Sequence, residues 1–311
     1  MEDKFLGCIY GLAIGDALGY PNEFIKLDQI LQKNQGKGTI DFEWSTHPPG
    51  SYTDDTQMSL AIANALLQSD IAQYSIDEIM SHVASEFVKW YKDKENCRAP
   101  GRTCLSSCAC LAKGMHWRDS GDRSAKGCGT AMRTAPIGLV FHKDLNKLLE
   151  VAYSSSICTH YTETAASAGI GTSYLVSLAV NNVNHNKWIE NICSLKQVND
   201  EFRNKIQQVK SVLDYKNHFE ALQILGEGWV GHEAVALALY CVLKNPLDYK
   251  ATVLMGANTD GDSDSIACIA GAISGAYNGI NKIPSKWVEE VEDSDLLRKT
   301  ALALYQKTKT F

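Results

Sequence analysis

Proline is scarce in this chain, 7 residues in 311 against 23 glycines, which suits a helical protein punctuated by loops. No run of about 18 unbroken apolar residues occurs, so no membrane-spanning helix is expected. Positive charge is in deficit: 30 Lys and Arg against 36 Asp and Glu leave a formal charge of -6. That balance argues against a binder of nucleic-acid phosphates, which needs a basic stripe. The start, Met1-Glu2-Asp3, lacks the basic segment of an export signal, so a cytoplasmic setting with reduced thiols is expected for the 10 cysteines. Cys97, Cys104, Cys108 and Cys110 cluster without a C-x₂-C pair, so buried or idle thiols are expected rather than zinc ligands.

Glycine and acid are what the chain does have, in particular places. Residues 5–20 put Gly7, Gly11 and Gly15 on one face of a helix, where a second backbone can approach closely. This G-x₃-G-x₃-G spacing differs from the dinucleotide-binding G-x-G-x-x-G, and no strand precedes it. Asp16 lies near the end of the segment, either capping or orienting something or as an ordinary hydrogen-bonded acid. Residues 21–51 read as an irregular loop with Glu23 at its start. Thr53-Asp54-Asp55-Thr56 then opens a helix. A cap needs one acid or hydroxyl. Two adjacent acids between two threonines exceed that need and suit a hard cation such as Mg²⁺.

Farther along, Arg98-Ala-Pro-Gly101-Arg102 forms a turn with two guanidinium groups, suited to a diphosphate or a carboxylate, or merely solvated. Gly127-Cys128-Gly129-Thr130-Ala-Met132 is a Gly-rich turn opening a helix, whose backbone N–H groups could face an anion. His160 follows a helical segment over 151–157 and could meet a phosphate or a base, or be structural. Gly226 to Ala234, with Trp229, is a loop running into an apolar helix. Finally Asp262-Ser263-Asp264-Ser265 places four hard oxygen donors in succession before a small-residue helix. With about a dozen helical segments and no period-2 strand, the expectation is an all-α single domain over 1–311.

These motifs, in this order, resemble the ADP-ribosylglycohydrolase family. Its pattern is matched by Gly15-Asp-Ala-Leu-Gly19, Thr53 to Thr56, Gly127 to Gly138, Thr159-His160 and Gly261 to Ser265. One departure is Asp260, where the family often has glycine. The resemblance implies a compact multi-helix fold with two Mg²⁺ (Mn²⁺ as a substitute) at the base of a cleft. It implies Thr53, Asp54, Asp55, Asp262, Asp264 and Ser265 as metal ligands, and Asp54 or Asp55 as the base for a water.

The resemblance further implies Gly127, Cys128, Gly129, Thr130, Met132 and His160 as contacts to the diphosphate and its neighbouring ribose. Arg98, Gly101, Arg102 and Trp229 would border the cleft. The Arg-Ala-Pro-Gly turn and the Gly-Cys-Gly-x-Ala-Met-Arg run are more similar to the arginine-linked branch, so hydrolysis of ADP-ribosylarginine on a modified protein, releasing ADP-ribose, is the first expectation. Glu23 stands where the serine-linked branch has a mobile glutamate that touches the metal. Removal of O-linked ADP-ribose is therefore the alternative within the enzymes, and a non-catalytic ADP-ribose-binding or structural relative the alternative outside them.

Overall fold

The computed structural model describes residues 1–73, 75–94 and 96–309. Its architecture is set by one helix pair. α1 (Glu2–Gly19) and α14 (Ser263–Asn278) run antiparallel in backbone contact. A Cβ on Gly7, Gly11 or Gly15 would lie 2.1 to 2.2 Å from the carbonyl oxygen of Gly275, Gly271 or Ala267. The glycine stripe thus serves the close approach expected of it, and Gly271 and Gly275 supply the facing side. Around the contact Phe5, Ile9, Leu12 and Leu18 are fully buried, each worth about 2 kcal/mol of apolar transfer.

Sixteen α-helices occur among the described residues. The first half adds α2 (Leu27–Gln32), α3 (Asp54–Gln68), α4 (Ile76–Lys92), α5 (Arg102–Ala112), α6 (Ala135–Val140), α7 (Leu145–Ile157) and α8 (Glu163–Val180). The second adds α9 (Trp188–Cys193), α10 (Asp200–Val212), α11 (His218–Leu225), α12 (Gly231–Lys244), α13 (Tyr249–Ala257), α15 (Ser285–Glu290) and α16 (Ser294–Lys307). Helices α8 and α12 are apolar nearly all round and sit in the interior with α1 and α14. Helices α4 and α10 bury one stripe each and form the outside. Outside helices, backbone pairing among the described residues includes two isolated bridges, Asp122 with His160 and Gly127 with Val230. The fold is all-α.

Local boundaries differ from the sequence reading in three places. Residues 21–51 are not wholly irregular, since they contain α2, whose first amide (Leu27) is held by Asp260 Oδ1 at 2.7 Å. The acid at the family's usual glycine position is therefore a cap supplied from a distant segment. The helix expected over 151–157 begins earlier, at Leu145, because Asp144 accepts from the Lys147 amide and caps it. The Gly127 turn opens only a single 3-10 turn, Cys128–Thr130, and the α-helix starts at Ala135. An α-helix dipole does not point out of Gly127–Thr130, so the backbone donors there are loop amides and not a helix N-terminus. The sequence also reads as an amphipathic helix over 76–95; α4 ends at Lys92, and Glu95 lies outside the described residues.

Candidate active site at two helix N-termini

The α1–α14 contact brings the N-terminus of α14 beside the C-terminal part of α1, and α3 starts at the same point. Asp16 of α1 makes that junction. Its fully buried carboxylate accepts from the Thr53 amide (3.0 Å) and Thr53 Oγ1 (2.8 Å). It also accepts from the Thr56 amide (3.0 Å) and Thr56 Oγ1 (2.6 Å). The first turn of α3 is thus capped from another helix, and Thr53, its own N-cap, receives the Asp55 amide at 3.4 Å. Asp16 is thus a hydrogen-bonded buried acid and, through those bonds, the cap of α3.

Six acids surround this junction: Asp16, Glu23, Asp54, Asp55, Asp262 and Asp264. The five aspartates are at most 4% exposed. Burial pushes Asp54, Asp55 and Asp262 well above the usual carboxylate range, and neighbouring carboxylates push them the same way. Burial, then the charges of Asp264, Asp262 and Asp54, raise Glu23 to about 10, and burial with Asp264 raises Asp16 to about 7. Individual hydrogen bonds hold the acids in place. Asp54 Oδ2 accepts from the Gly101 amide (3.2 Å), Asp262 Oδ2 from Cys128 Sγ (2.7 Å), and Asp264 Oδ1 from the Ser265 amide (2.9 Å). Asp55 Oδ1 is buried without a partner.

A cleft of about 420 Å³ opens above them, within the range of small-molecule sites. It is lined by Glu23, Asp54, Asp55, Asp262 and Ser265 on the floor, by Gly101 and Arg102, by Gly127, Cys128, Gly129, Met132 and His160, and by Trp229. A larger hollow of about 760 Å³ beside α9 and α10 holds none of the candidate residues. Four expected site residues do not line the cleft. Thr53 and Asp264 lie buried beneath its floor. Thr130 is turned away, donating to the Ala165 carbonyl at 2.6 Å. Arg98 is used elsewhere: its guanidinium makes a two-pronged pair with Glu292, 2.7 Å on each arm, and donates to the Tyr52 carbonyl at 2.9 Å. Arg102 is the guanidinium at the cleft.

Two residues were missed. Phe24, 74% exposed and at φ 67°, stacks on Trp229 at 5.0 Å between centroids and forms part of the cleft wall. Nothing in its local sequence singled it out. Arg133 lies fully buried behind His160. The signal for it was present, an arginine inside the apolar run Ala-Met-Arg-Thr-Ala-Pro-Ile.

The family model for ADP-ribosylglycohydrolases matches residues 1–310. The chain belongs to the ADP-ribosylglycohydrolase family. An uncharacterised protein of Archaeoglobus fulgidus is 30% identical over 98% of this chain and 97% of its own length. The ADP-ribosylarginine hydrolase Tri1 of Pseudomonas putida is 27% identical over 98% of this chain and 78% of its own. The human ADP-ribosylhydrolase ARH3 is 26% identical over 98% and 94%. A solved chain of an ADP-ribosylglycohydrolase-related protein complex superposes over 99% of this chain with a TM-score of 0.79 at 23% identity, a likeness of fold. Family membership makes the chain hydrolase-like and its substrates ADP-ribosylated.

The two Mg²⁺ that the resemblance implies would need hard oxygen ligands at this site. Among the described residues, no three His, Cys, Asp or Glu side chains already form a group that could hold a metal ion. Asp54 Oδ2, Asp262 Oδ2 and Asp264 Oδ1 each take a separate hydrogen bond. The donor chemistry nevertheless fits, because the set is hard oxygen throughout, supplied by Asp, Thr and Ser. Asp55 Oδ1 stands buried and unsatisfied, and the crowded like charges call for a cation.

Proposed function

We propose that this protein is a Mg²⁺-dependent hydrolase that removes ADP-ribose from modified protein by cleaving the N-glycosidic bond to arginine. The observation that carries the proposal is the convergence of the Asp54-Asp55 and Asp262-Ser265 helix starts on one cleft that also holds Gly127, Gly129 and His160. The relative named ADP-ribosylarginine hydrolase Tri1 supports the arginine linkage.

Thr53, Asp54, Asp55, Asp262, Asp264 and Ser265 would hold the two ions, with Mn²⁺ as a substitute. When bound, these ions would supply positive charge and Lewis acidity to the vicinal hydroxyls of the ribose being cut. This chain's own residues do the rest. The glycosidic carbon develops oxocarbenium-like charge as the bond breaks, and the buried carboxylates stabilise it electrostatically. Asp54 or Asp55 accepts the proton of the attacking water. Loop amides of Gly127–Gly129 and the neutral His160 bind the diphosphate side of the substrate. Glu23 lines the same cleft as Asp54, Asp55 and Asp262 and is the carboxyl group placed to pass a proton to the leaving group.

Glu23 also favours a second reading. It lies near Asp262 and Asp264, and the resemblance places it where the serine-linked branch has a glutamate that touches the metal, so O-linked ADP-ribose is the alternative substrate. A panel of arginine-linked, serine-linked, O-acetyl and nucleic-acid-end ADP-ribose, assayed with and without Mg²⁺, separates these readings. Release from arginine only with Mg²⁺ is the expected result. Release from serine alone transfers the proposal to the O-linked class, and tight ADP-ribose binding with no release from any linkage ends it.

A further inference from the structure

Arg133 is fully buried, and among the described residues no carboxylate pairs with it. Its Nη2 donates to the Ser155 carbonyl at 2.8 Å and to Thr159 Oγ1 at 2.7 Å. Nη1 faces Met58 Sδ and Cys104 Sγ, the guanidinium lies 4.6 Å over the Phe87 ring, and Nε has no partner. Burying a cation without an anion is costly, so its placement behind the cleft needs a reason.

The reason lies one residue farther on. A guanidinium only donates, so Thr159 Oγ1 is an acceptor in that contact and keeps one proton to give. Two acceptors are within reach: His160 Nδ1 at 2.8 Å and the Ser156 carbonyl at 3.4 Å. Donation along the shorter contact would make His160 Nδ1 the acceptor and leave the ring hydrogen on Nε2. That edge of the ring meets the Gly-rich loop. A Cβ on Gly127 would be 3.2 Å from Nε2, and one on Gly129 would be 2.9 Å from Cε1. Burial, and next the Arg133 charge, lower His160 to about 3, so the ring is neutral at physiological pH and its tautomer decides which edge donates.

We propose that Arg133 and Thr159 are positioning residues that lock His160 as the Nε2–H tautomer, presenting a fixed N–H donor to a phosphate oxygen held between Gly127 and Gly129. The inference rests on the reading that this cleft takes ADP-ribose. The buried guanidinium does not touch the ligand. It orders the relay and adds positive potential beneath an anion.

The test is nitrogen NMR of ¹⁵N-histidine-labelled protein together with calorimetric binding of ADP-ribose. Wild type should show His160 protonated at Nε2. Thr159→Val removes the hydroxyl at constant shape, so Nδ1–H should become populated and ADP-ribose should bind about tenfold more weakly, the loss of one hydrogen bond to a charged group. Thr159→Ser should restore both. Nδ1–H in wild type, or Nε2–H and unchanged affinity in Thr159→Val, overturns the proposal. Failure of the hydrolase reading is a separate event: ADP-ribose bound by an Nε2–H His160 with no turnover on any linkage supports the relay and ends only the enzyme assignment.

Discussion

Asp55 and Asp264 show how a single carboxylate in this cleft differs from a surface acid. Each is buried and raised by that burial, neighbouring carboxylates raise Asp55 further, and Asp55 has an oxygen that no group in the protein satisfies. Replacing either by Ala removes one ligand of the proposed cage and relieves local repulsion at the same time. We therefore expect Asp55→Ala and Asp264→Ala to abolish turnover and weaken Mg²⁺ binding by at least about tenfold, without loss of stability in EDTA. Calorimetric Mg²⁺ titration with a parallel denaturation curve checks both statements. Full activity in either variant would sink the shared cage. At the same scale Arg98 and Arg102 illustrate what motif reading resolves. The turn offered two guanidiniums, either for the cleft or for solvent. One of them is committed to Glu292, a partner 194 residues away that no local pattern could name.

Among the elements, the α1–α14 pair bears the most consequence. Close backbone contact is possible only with no side chain at Gly7, Gly11 and Gly15, and the atoms a Cβ would strike are carbonyl groups that cannot swing aside. Gly11→Ala would place its Cβ 2.2 Å from the Gly271 oxygen, so the helices must separate. The expected cost is about 3 kcal/mol or more, at the upper end of overpacking, despite alanine's better helix propensity. Urea denaturation of the variant measures it, and a stabilised Gly11→Ala would contradict the packing described. Because α14 starts at the floor of the cleft, the same substitution should also depress Mg²⁺ affinity. The i, i+4 glycine stripe was legible in the sequence because helical period alone places those residues on one face. The early 3-10 turn at Cys128–Thr130 was not, since Gly-rich segments suit loop and helix start alike.

For the whole molecule, the acid cluster couples cation binding to stability. The metal-free fold holds protons that the unfolded chain has already released: Asp16 is raised to about 7, whereas an unfolded aspartate ionises near 4. The folded state therefore binds more protons in that window, and its stability falls as pH rises through it. Burial lowers His160 to about 3 with the opposite sign, losing stability as pH falls from about 6.5. That contribution is common to protein with and without metal. The difference in Tm between saturating Mg²⁺ and EDTA should accordingly widen from pH 5 to pH 7.5. A difference that stays flat or narrows would mean the acids do not share the cation.

The sequence by itself determined the all-α class, the glycine contact, the two acidic helix starts and the family, because helix period, capping chemistry and motif order are local or collinear properties. Tertiary structure alone decided that Asp16 caps α3, that Arg98 belongs to Glu292, that Phe24 stacks on Trp229, and that Arg133 reaches His160 through Thr159. Most of those contacts join residues far apart in the chain. The physical reason is that hydrogen bonds and buried charges select partners by position in space, which only packing of the helices around α1 and α14 supplies.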